Sequence, residues 1–173
     1  MIMKTRNVLG QKTRITVTKT RPANTTAYGA EDVVSENASS GTAWTFDAIV
    51  HSAGGSGTIT GAVLVDDDTG RTQAMTLYLF DITPTGNLND NLANTNPVAA
   101  DTDNYLGRIE FPALSDNGGL SDTRASHGIA NGLPLAVKAA SGDDAIYGVL
   151  VTEGAFTPSS GEIFLISLLV DQD

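Results

Sequence analysis

The sequence predicts an all-β protein, a single-domain antiparallel β-sandwich of about eight strands that is jelly-roll or Greek-key like. Three observations lead to this fold class. Apolar and polar residues alternate in several short segments, and clusters of Gly, Pro, Asn and Asp separate those segments. Charged residues make up only 17% of the chain, while glycine occurs 18 times. At 173 residues the chain suits one domain that can bury a sizeable core.

The predicted strands begin with residues 14–19, where apolar and polar side chains alternate. The second strand, 43–50, places Trp44 on an apolar face, which indicates a core residue rather than a binding platform. Segments 58–65 and 74–80 flank an Asp- and Gly-rich loop and are predicted to pair as a hairpin.

The later strands resume after a long polar connection over 83–104 and alternate with a second polar loop over about 115–128. They comprise 105–111, 133–139, 145–152 and 162–171. Two packed antiparallel sheets accommodate these strands most simply, and no repeat of fixed period suggests a propeller or solenoid.

Charge is distributed unevenly along a chain whose net charge is −10. Residues 1–21 contain no acid and six cations: Lys4, Arg6, Lys12, Arg14, Lys19 and Arg21. Residues 22–173 contain four basic and twenty acidic residues, a balance of 4 − 20 = −16. We therefore divide the chain into a basic N-terminal arm and first strand (1–21) and a sandwich domain (22–173).

The basic arm allows two interpretations. It is either a solvated first strand attracted to the chain's own acidic surface, or an arm that binds a negatively charged partner. The acidic body repels nucleic acid and anionic membranes, and the six cations are sparser than in nucleic-acid tails. We therefore expect a protein partner, with no direct contact to nucleic acid or membrane.

Metal and cofactor sites are poorly supported. The chain has no cysteine and two histidines, which excludes thiolate and multi-histidine centres. Asp66-Asp67-Asp68 could bind calcium, but we favour a solvated hairpin tip because consecutive carboxylates do not converge without a special turn. Gly54–Thr58 lacks the lysine of a phosphate-binding loop. We predict no cofactor and no metal.

Catalytic residues are not predicted either. His51 and His127 could each act as a base, but no nucleophile on a Gly-x-Ser-x-Gly turn accompanies them. Twenty acids offer many carboxylate pairs for glycoside hydrolysis, and nothing singles out one pair. The apolar run near the C-terminus is too short to span a bilayer, and no signal-peptide core follows Met1. We expect a soluble protein made in the cytoplasm.

Several segments resemble a group of tailed-bacteriophage virion structural proteins. Residues 19–34, KTRPANTTAYGAEDVV, are similar to that group's opening TRPA-TTAYAAGDVV. Further similar segments follow in the same order: AGGSGTI (53–59), GAVLV (61–65), LYLFD (77–81), NGLPL (131–135), YGVLV (147–151) and the close AFTPSSGEIF…DQD (155–173). The resemblance covers about 15–173. Glu31 stands where the group usually has Gly, so we expect the turn before Val33 to differ.

The resemblance implies a capsid decoration or cement protein, a small β-sandwich on the capsid surface of a virion that is made in the host cytoplasm. It implies the major capsid protein as partner, a homotrimer, and no catalytic residue. We hypothesise that residues 1–21 contact the shell or a neighbouring copy, and that their removal weakens attachment while the sandwich stays folded. The alternatives are a carbohydrate-binding or host-attachment module, with tyrosines and loop 83–104 contacting sugar, and a hydrolase.

Overall fold

The computed structural model of the chain describes residues 11–115, 124–126 and 132–173. Within these ranges the secondary structure consists of strands and a single short 3-10 helix, Ala99–Asn104. The strands are β1 (Gln11–Thr20), β2 (Val33–Val34), β3 (Trp44–Phe46), β4 (Ser56–Asp66), β5 (Met75–Phe80), β6 (Tyr105–Phe111), β7 (Arg124–Ser126), β8 (Leu135–Lys138), β9 (Ile146–Thr152) and β10 (Ile163–Gln172). The predicted all-β class is confirmed.

The strands form two antiparallel sheets. The first sheet has the order β1-β10-β4-β7, with β8 also paired to β4, and the second has the order β2-β9-β5-β6, with β3 also paired to β9. β7 and β8 pair with opposite ends of β4, and β2 and β3 pair with successive parts of β9. Each of these pairs acts as one interrupted strand, which leaves eight strands in the arrangement of a jelly roll.

The core lies between the two sheets and takes alternate residues from each strand. Ile59 and Leu64 of the first sheet and Leu77 and Leu150 of the second are fully buried. Trp44 is 1% exposed and donates its indole N–H to the Val34 carbonyl at 3.3 Å, which confirms the prediction that it belongs to the core. Burial of each such side chain stabilises the fold by about 1.5–3 kcal/mol.

The predicted hairpin between 58–65 and 74–80 is wrong. β4 belongs to the first sheet and β5 to the second, so the two strands do not pair edge to edge. Sequence periodicity marks both as strands but does not distinguish a turn within one sheet from a crossing between two. β4 pairs instead with β10, which lies about a hundred residues further along the chain.

The connection between β4 and β5 is not the solvated tip that the acidic run suggested. Asp66 is fully buried and accepts a hydrogen bond from Arg71 Nε at 2.9 Å, while Arg71 Nη2 donates to Glu162 at 2.5 Å. The guanidinium carbon lies 3.7 Å from the centroid of the Phe156 ring. Burial and the neighbouring Glu162 carboxyl raise the pKa of Asp66 to about 8. This buried charge cluster holds the crossing between the sheets.

Two further predictions fail locally. The strand expected over 43–50 ends at Phe46, because Ala48 takes a left-handed φ of 53° that does not continue a strand. β7 lies inside the loop expected over about 115–128, whose remaining residues, His127 included, are mostly outside the described ranges. The polar connection over 83–104 is confirmed as free of strands and ends in the short 3-10 helix.

Candidate docking face

The first sheet has an outer face whose side chains point away from the second sheet, and we name it the open face. Alternation along the strands places the core residues Ile166 and Leu168 inward and the intervening residues outward. The open face contains these side chains: Lys12, Arg14, Thr16 and Thr18 of β1; Ile163, Leu165, Ser167, Leu169 and Asp171 of β10; and Gly61, Val63 and Val65 of β4.

The strand register arranges the open face in rows. Thr18, Leu165 and Val65 form one row across β1, β10 and β4, and Thr16, Ser167 and Val63 form the next. The middle of the face is therefore aliphatic and hydroxylic, with little formal charge. Leu169 is 41% exposed and Ile163 is 39% exposed. Exposed aliphatic side chains on one sheet face are typical of a protein contact surface.

Positive charge lies along one margin of the open face. Arg14 is opposite Leu169 and donates from Nη2 to the Ser167 hydroxyl at 3.1 Å. The hydroxyls of Thr16 and Ser167 are 2.8 Å apart, which continues this polar row. Lys12 Nζ donates to Asp171 at 2.8 Å, an exposed pair that adds little stability. Arg14 thus contributes a positive charge that has no carboxylate partner among the described residues.

The other predicted contact residues lie elsewhere. Lys19 is on the core side of β1, where its side chain is only 9% exposed, bonded to Glu36 and 5.6 Å from the centroid of the Trp44 ring. Burial lowers the pKa of Lys19 despite that carboxylate. Lys4 and Arg6 lie outside the described residues.

Arg21 is fully buried and serves the fold. Its Nε donates to the Tyr28 hydroxyl at 3.0 Å, and its Nη2 lies 3.3 Å from Asp90. Asp90 also accepts bonds from the Tyr28 hydroxyl and from the Ser35 N–H at 3.0 Å. Burial, followed by the bond to Asp90, raises the pKa of Tyr28. Sequence reasoning did not identify this cluster, because Asp90 is one of many polar residues in the 83–104 connection.

The aromatic residues considered for sugar contact are largely used within the fold. Tyr28 is 2% exposed and stacks on Phe156 with ring centroids 4.6 Å apart. The Tyr105 and Phe80 ring centroids are 5.4 Å apart on the outer side of the second sheet. The Tyr147 hydroxyl donates to Asp143 at 2.7 Å. Of the tyrosines, Tyr78 lines an open cavity.

Within residues 11–115 and 132–173 no group of three or more His, Asp or Glu side chains is placed to hold a metal ion. None of the segments that the structure describes forms a helix long and apolar enough to cross a membrane. His51 is exposed at the turn before β4.

No protein-family model matches the chain, and no curated protein matches it. A solved structure titled "Acidic stable capsid structure of Helicobacter pylori bacteriophage KHP30" aligns with 94% of this chain and 92% of that chain, at 9% sequence identity and a TM-score of 0.26. A likeness of this size carries no argument about fold or function.

Proposed function

We propose that the protein is a non-enzymatic virion structural protein that binds the outer surface of a phage capsid through its open face and stabilises the shell. The observation that carries the proposal is the contrast between this face and the rest of the molecule. Residues 22–173 have a charge balance of −16, whereas the open face carries Lys12, Arg14 and Asp171 around an aliphatic centre. The ordered resemblance to phage virion proteins over about 15–173 supports the same role.

Burial of the open face would supply the binding energy. A stable interface of standard size buries about 800 Å² on each partner, and exposed aliphatic side chains such as Leu169 and Ile163 contribute about 25 cal/mol per Å² removed from water. The positive margin favours a partner surface with negative charge and steers the approach. The acidic remainder of the protein would face solvent and keep bound copies from aggregating.

We further propose that the partner is the major capsid protein and that the active form is a homotrimer. Three copies that bind neighbouring shell subunits at once gain avidity, because the second and third contacts become intramolecular. Such a clamp opposes the outward pressure of packaged DNA at the joints between subunits. This role needs no catalytic residue and no cofactor, and we assign none.

The carbohydrate-binding alternative ranks lower because it needs exposed aromatic rings. Of the four tyrosines, Tyr28 is buried, the Tyr105 ring packs beside Phe80, and the Tyr147 hydroxyl donates to Asp143, which leaves Tyr78 as a single candidate ring. Aromatic platforms for sugars present a bare ring face to solvent. The hydrolase alternative has no residue pair in its favour.

The experiment that tests the proposal is co-sedimentation of the purified protein with DNA-filled and empty heads from the same genome. Leu169→Asp places a charge in the open face, and Leu92→Asp is its matched control, because Leu92 is 42% exposed and lies on the connection between β5 and β6, next to β2 of the second sheet. We expect saturable binding that Leu169→Asp weakens at least tenfold, about 1.4 kcal/mol, and that Leu92→Asp leaves unchanged. Equal binding by both variants would overturn the proposal.

The contribution of the basic residues is tested without removing β1. β1 pairs with β10 over ten residues and packs Ile15 and Val17 against the core, and Arg21 is buried. The expectation that residues 1–21 can be deleted with the sandwich left folded therefore conflicts with the packing. A chain that begins at Gln11 removes Lys4 and Arg6 but keeps β1, and Arg14→Gln neutralises the open face; both are expected to weaken attachment to heads.

A further inference from the structure

A second feature lies on the opposite side of the sandwich, on the outer face of the second sheet. There a cavity of about 420 Å³ opens beside the paired strands β5 and β6. Its walls include Thr76 and Tyr78 of β5, Arg108 and Glu110 of β6, and Glu31 and Glu153 from the segments next to β2 and β9. Its volume is in the range of pockets that hold small ligands. We name this cavity the acidic pocket.

The acidic pocket has an excess of negative charge. Arg108 Nη2 pairs with Glu110 at 2.6 Å, which leaves the carboxylates of Glu31 and Glu153 to be balanced. Neither carboxylate has an ion pair or a side-chain hydrogen bond with any residue that the structure describes. Three carboxylates and one guanidinium give the pocket a formal charge of 1 − 3 = −2.

A hydroxyl in the same wall also lacks a protein partner. Thr76 is 3% exposed and lines the acidic pocket, and its hydroxyl makes no hydrogen bond to any described residue. In the strand register Thr76 is opposite Glu110, and Tyr78 is opposite Arg108. Among the described residues the buried side-chain atoms without a partner are Asp81 Oδ1 and Asn96 Oδ1, so the Thr76 hydroxyl reaches the solvent of the pocket. This hydroxyl is therefore a second observation, independent of charge, of a hydrogen-bonding group that a polar ligand in the pocket can reach.

Glu31 occupies a strained backbone position. Its φ is 66°, the left-handed region that favours glycine. Backbone hydrogen bonds hold it there: its N–H donates to the Thr152 carbonyl at 2.7 Å, and its carbonyl accepts from the Asn94 N–H at 2.8 Å. Strained non-glycine residues concentrate at binding sites. A glutamate at this position brings a carboxylate to the pocket at a backbone cost that a glycine would avoid.

We propose that the acidic pocket binds the ammonium or guanidinium group of a lysine or arginine side chain presented by a partner polypeptide. The free carboxylates of Glu31 and Glu153 would accept charge-assisted hydrogen bonds from the cation, and the Thr76 hydroxyl would accept one more. The Tyr78 ring adds a face on which a cation is favourable. The net charge of the pocket selects a cation over a neutral sugar. This site is separate from the open face and does not rest on the proposed function.

The test is an NMR titration of the full-length protein labelled on its backbone amides. The probe is the capped tripeptide Gly-Lys-Gly, and its matched control carries norleucine, which has the same carbon chain without the ammonium group. We expect the lysine peptide to shift the amides of Thr76, Glu110 and Glu153 and the norleucine peptide to shift none. The dissociation constant of the lysine peptide should rise several-fold when the salt concentration increases from a low value to about 0.3 M.

Variants connect binding to the pocket. Glu153→Gln and Glu31→Asn each remove a charge, and asparagine tolerates the left-handed backbone of position 31. Each substitution is expected to raise the dissociation constant of the lysine peptide at least fivefold while the protein stays folded. Asp103→Asn, an exposed change on the short 3-10 helix, is the control and should bind normally.

Three outcomes would overturn the proposal. They are equal shifts with the norleucine peptide, shifts by methyl glucoside that exceed those by the lysine peptide, and spermidine binding at least tenfold tighter than the peptide. The second result would assign the pocket to sugars, and the third would assign it to free polyamines.

Discussion

The buried cluster of Asp66, Arg71 and Glu162 predicts an unusual dependence of stability on pH. Two buried carboxyls share one guanidinium, so one of them is favoured in its neutral form. Burial and the Glu162 carboxyl raise the pKa of Asp66 from 3.8 to about 8 in the folded protein. The unfolded chain has the ordinary value of about 3.9. Near neutral pH the folded protein therefore retains a proton that the unfolded chain releases.

The sign of the effect follows from proton linkage. Since the folded state binds the additional proton between the two pKa values, the stability from this carboxyl is complete below about pH 4 and is lost as the pH rises through about 8. The free energy of unfolding should fall by about 1.4 kcal/mol per pH unit within that window. From about pH 5 to 8 the loss is about 4 kcal/mol.

Asp66→Asn isolates this contribution. The amide resembles the protonated carboxyl in shape and can donate to Glu162 and accept from Arg71. In urea unfolding at about pH 5, 6.5 and 8, the variant should gain stability relative to the wild type as the pH rises, by about 1.4 kcal/mol per unit. Asp103→Asn, an exposed change, should leave the wild-type slope unaltered. Parallel curves for Asp66→Asn and the wild type would refute the assignment of the bound proton to this cluster.

Three other substitutions have definite expectations, each measured by denaturant unfolding. Asp90→Ala should cost about 3–5 kcal/mol, because it leaves the buried guanidinium of Arg21 without its carboxylate; a cost below about 1 kcal/mol would mean that water compensates the charge. Gly148→Ala should cost about 1–3 kcal/mol, since the added Cβ would lie 2.8 Å from Leu77 Cδ1, and an unchanged midpoint would show that Leu77 can move away. Glu31→Gly should instead stabilise the protein by up to about 1 kcal/mol, because φ is 66° there, and a loss of stability would contradict the strain argument.

The sequence was sufficient for the fold class because periodicity and turn residues are local signals. β6 occupies the predicted 105–111, and β9 and β10 match the predicted 145–152 and 162–171 to within a residue at each end. Trp44 was assigned to the core from alternation alone, and its burial confirms this. These features depend on which face of a strand a side chain lies on. Because successive side chains of a strand point to opposite faces, an alternation of apolar and polar residues in the sequence indicates the buried face directly.

Pairing between strands was not predictable in the same way. β4 pairs with β10 and β5 with β9, and both partners lie far along the chain. The Asp/Gly loop between β4 and β5 has the composition of a hairpin turn, yet it crosses between sheets. Arg71 of this loop donates a hydrogen bond to Glu162, which is 91 residues away in sequence. No local pattern contains that information.

The candidate sites were only partly within reach of sequence reasoning. Charge asymmetry pointed to the first strand, and Arg14 does lie on the open face. The number of cations in residues 1–21 does not distinguish the exposed Arg14 from Lys19 and Arg21, whose side chains are largely buried. Lys19 pairs with Glu36 and Arg21 with Asp90, and both carboxylates lie in other segments of the chain. The acidic pocket was missed, since its carboxylates come from three separate segments. Glu31 in a position typical of glycine was the one signal visible in the sequence.

A cryo-EM reconstruction of heads saturated with the protein would show directly which face of the sandwich meets the shell. We expect bound copies whose open face, with Leu169 and Arg14, lies against the shell, and whose acidic pocket faces away from it. Density that places the second sheet against the shell, or heads that remain undecorated at saturating protein, would contradict docking through the open face.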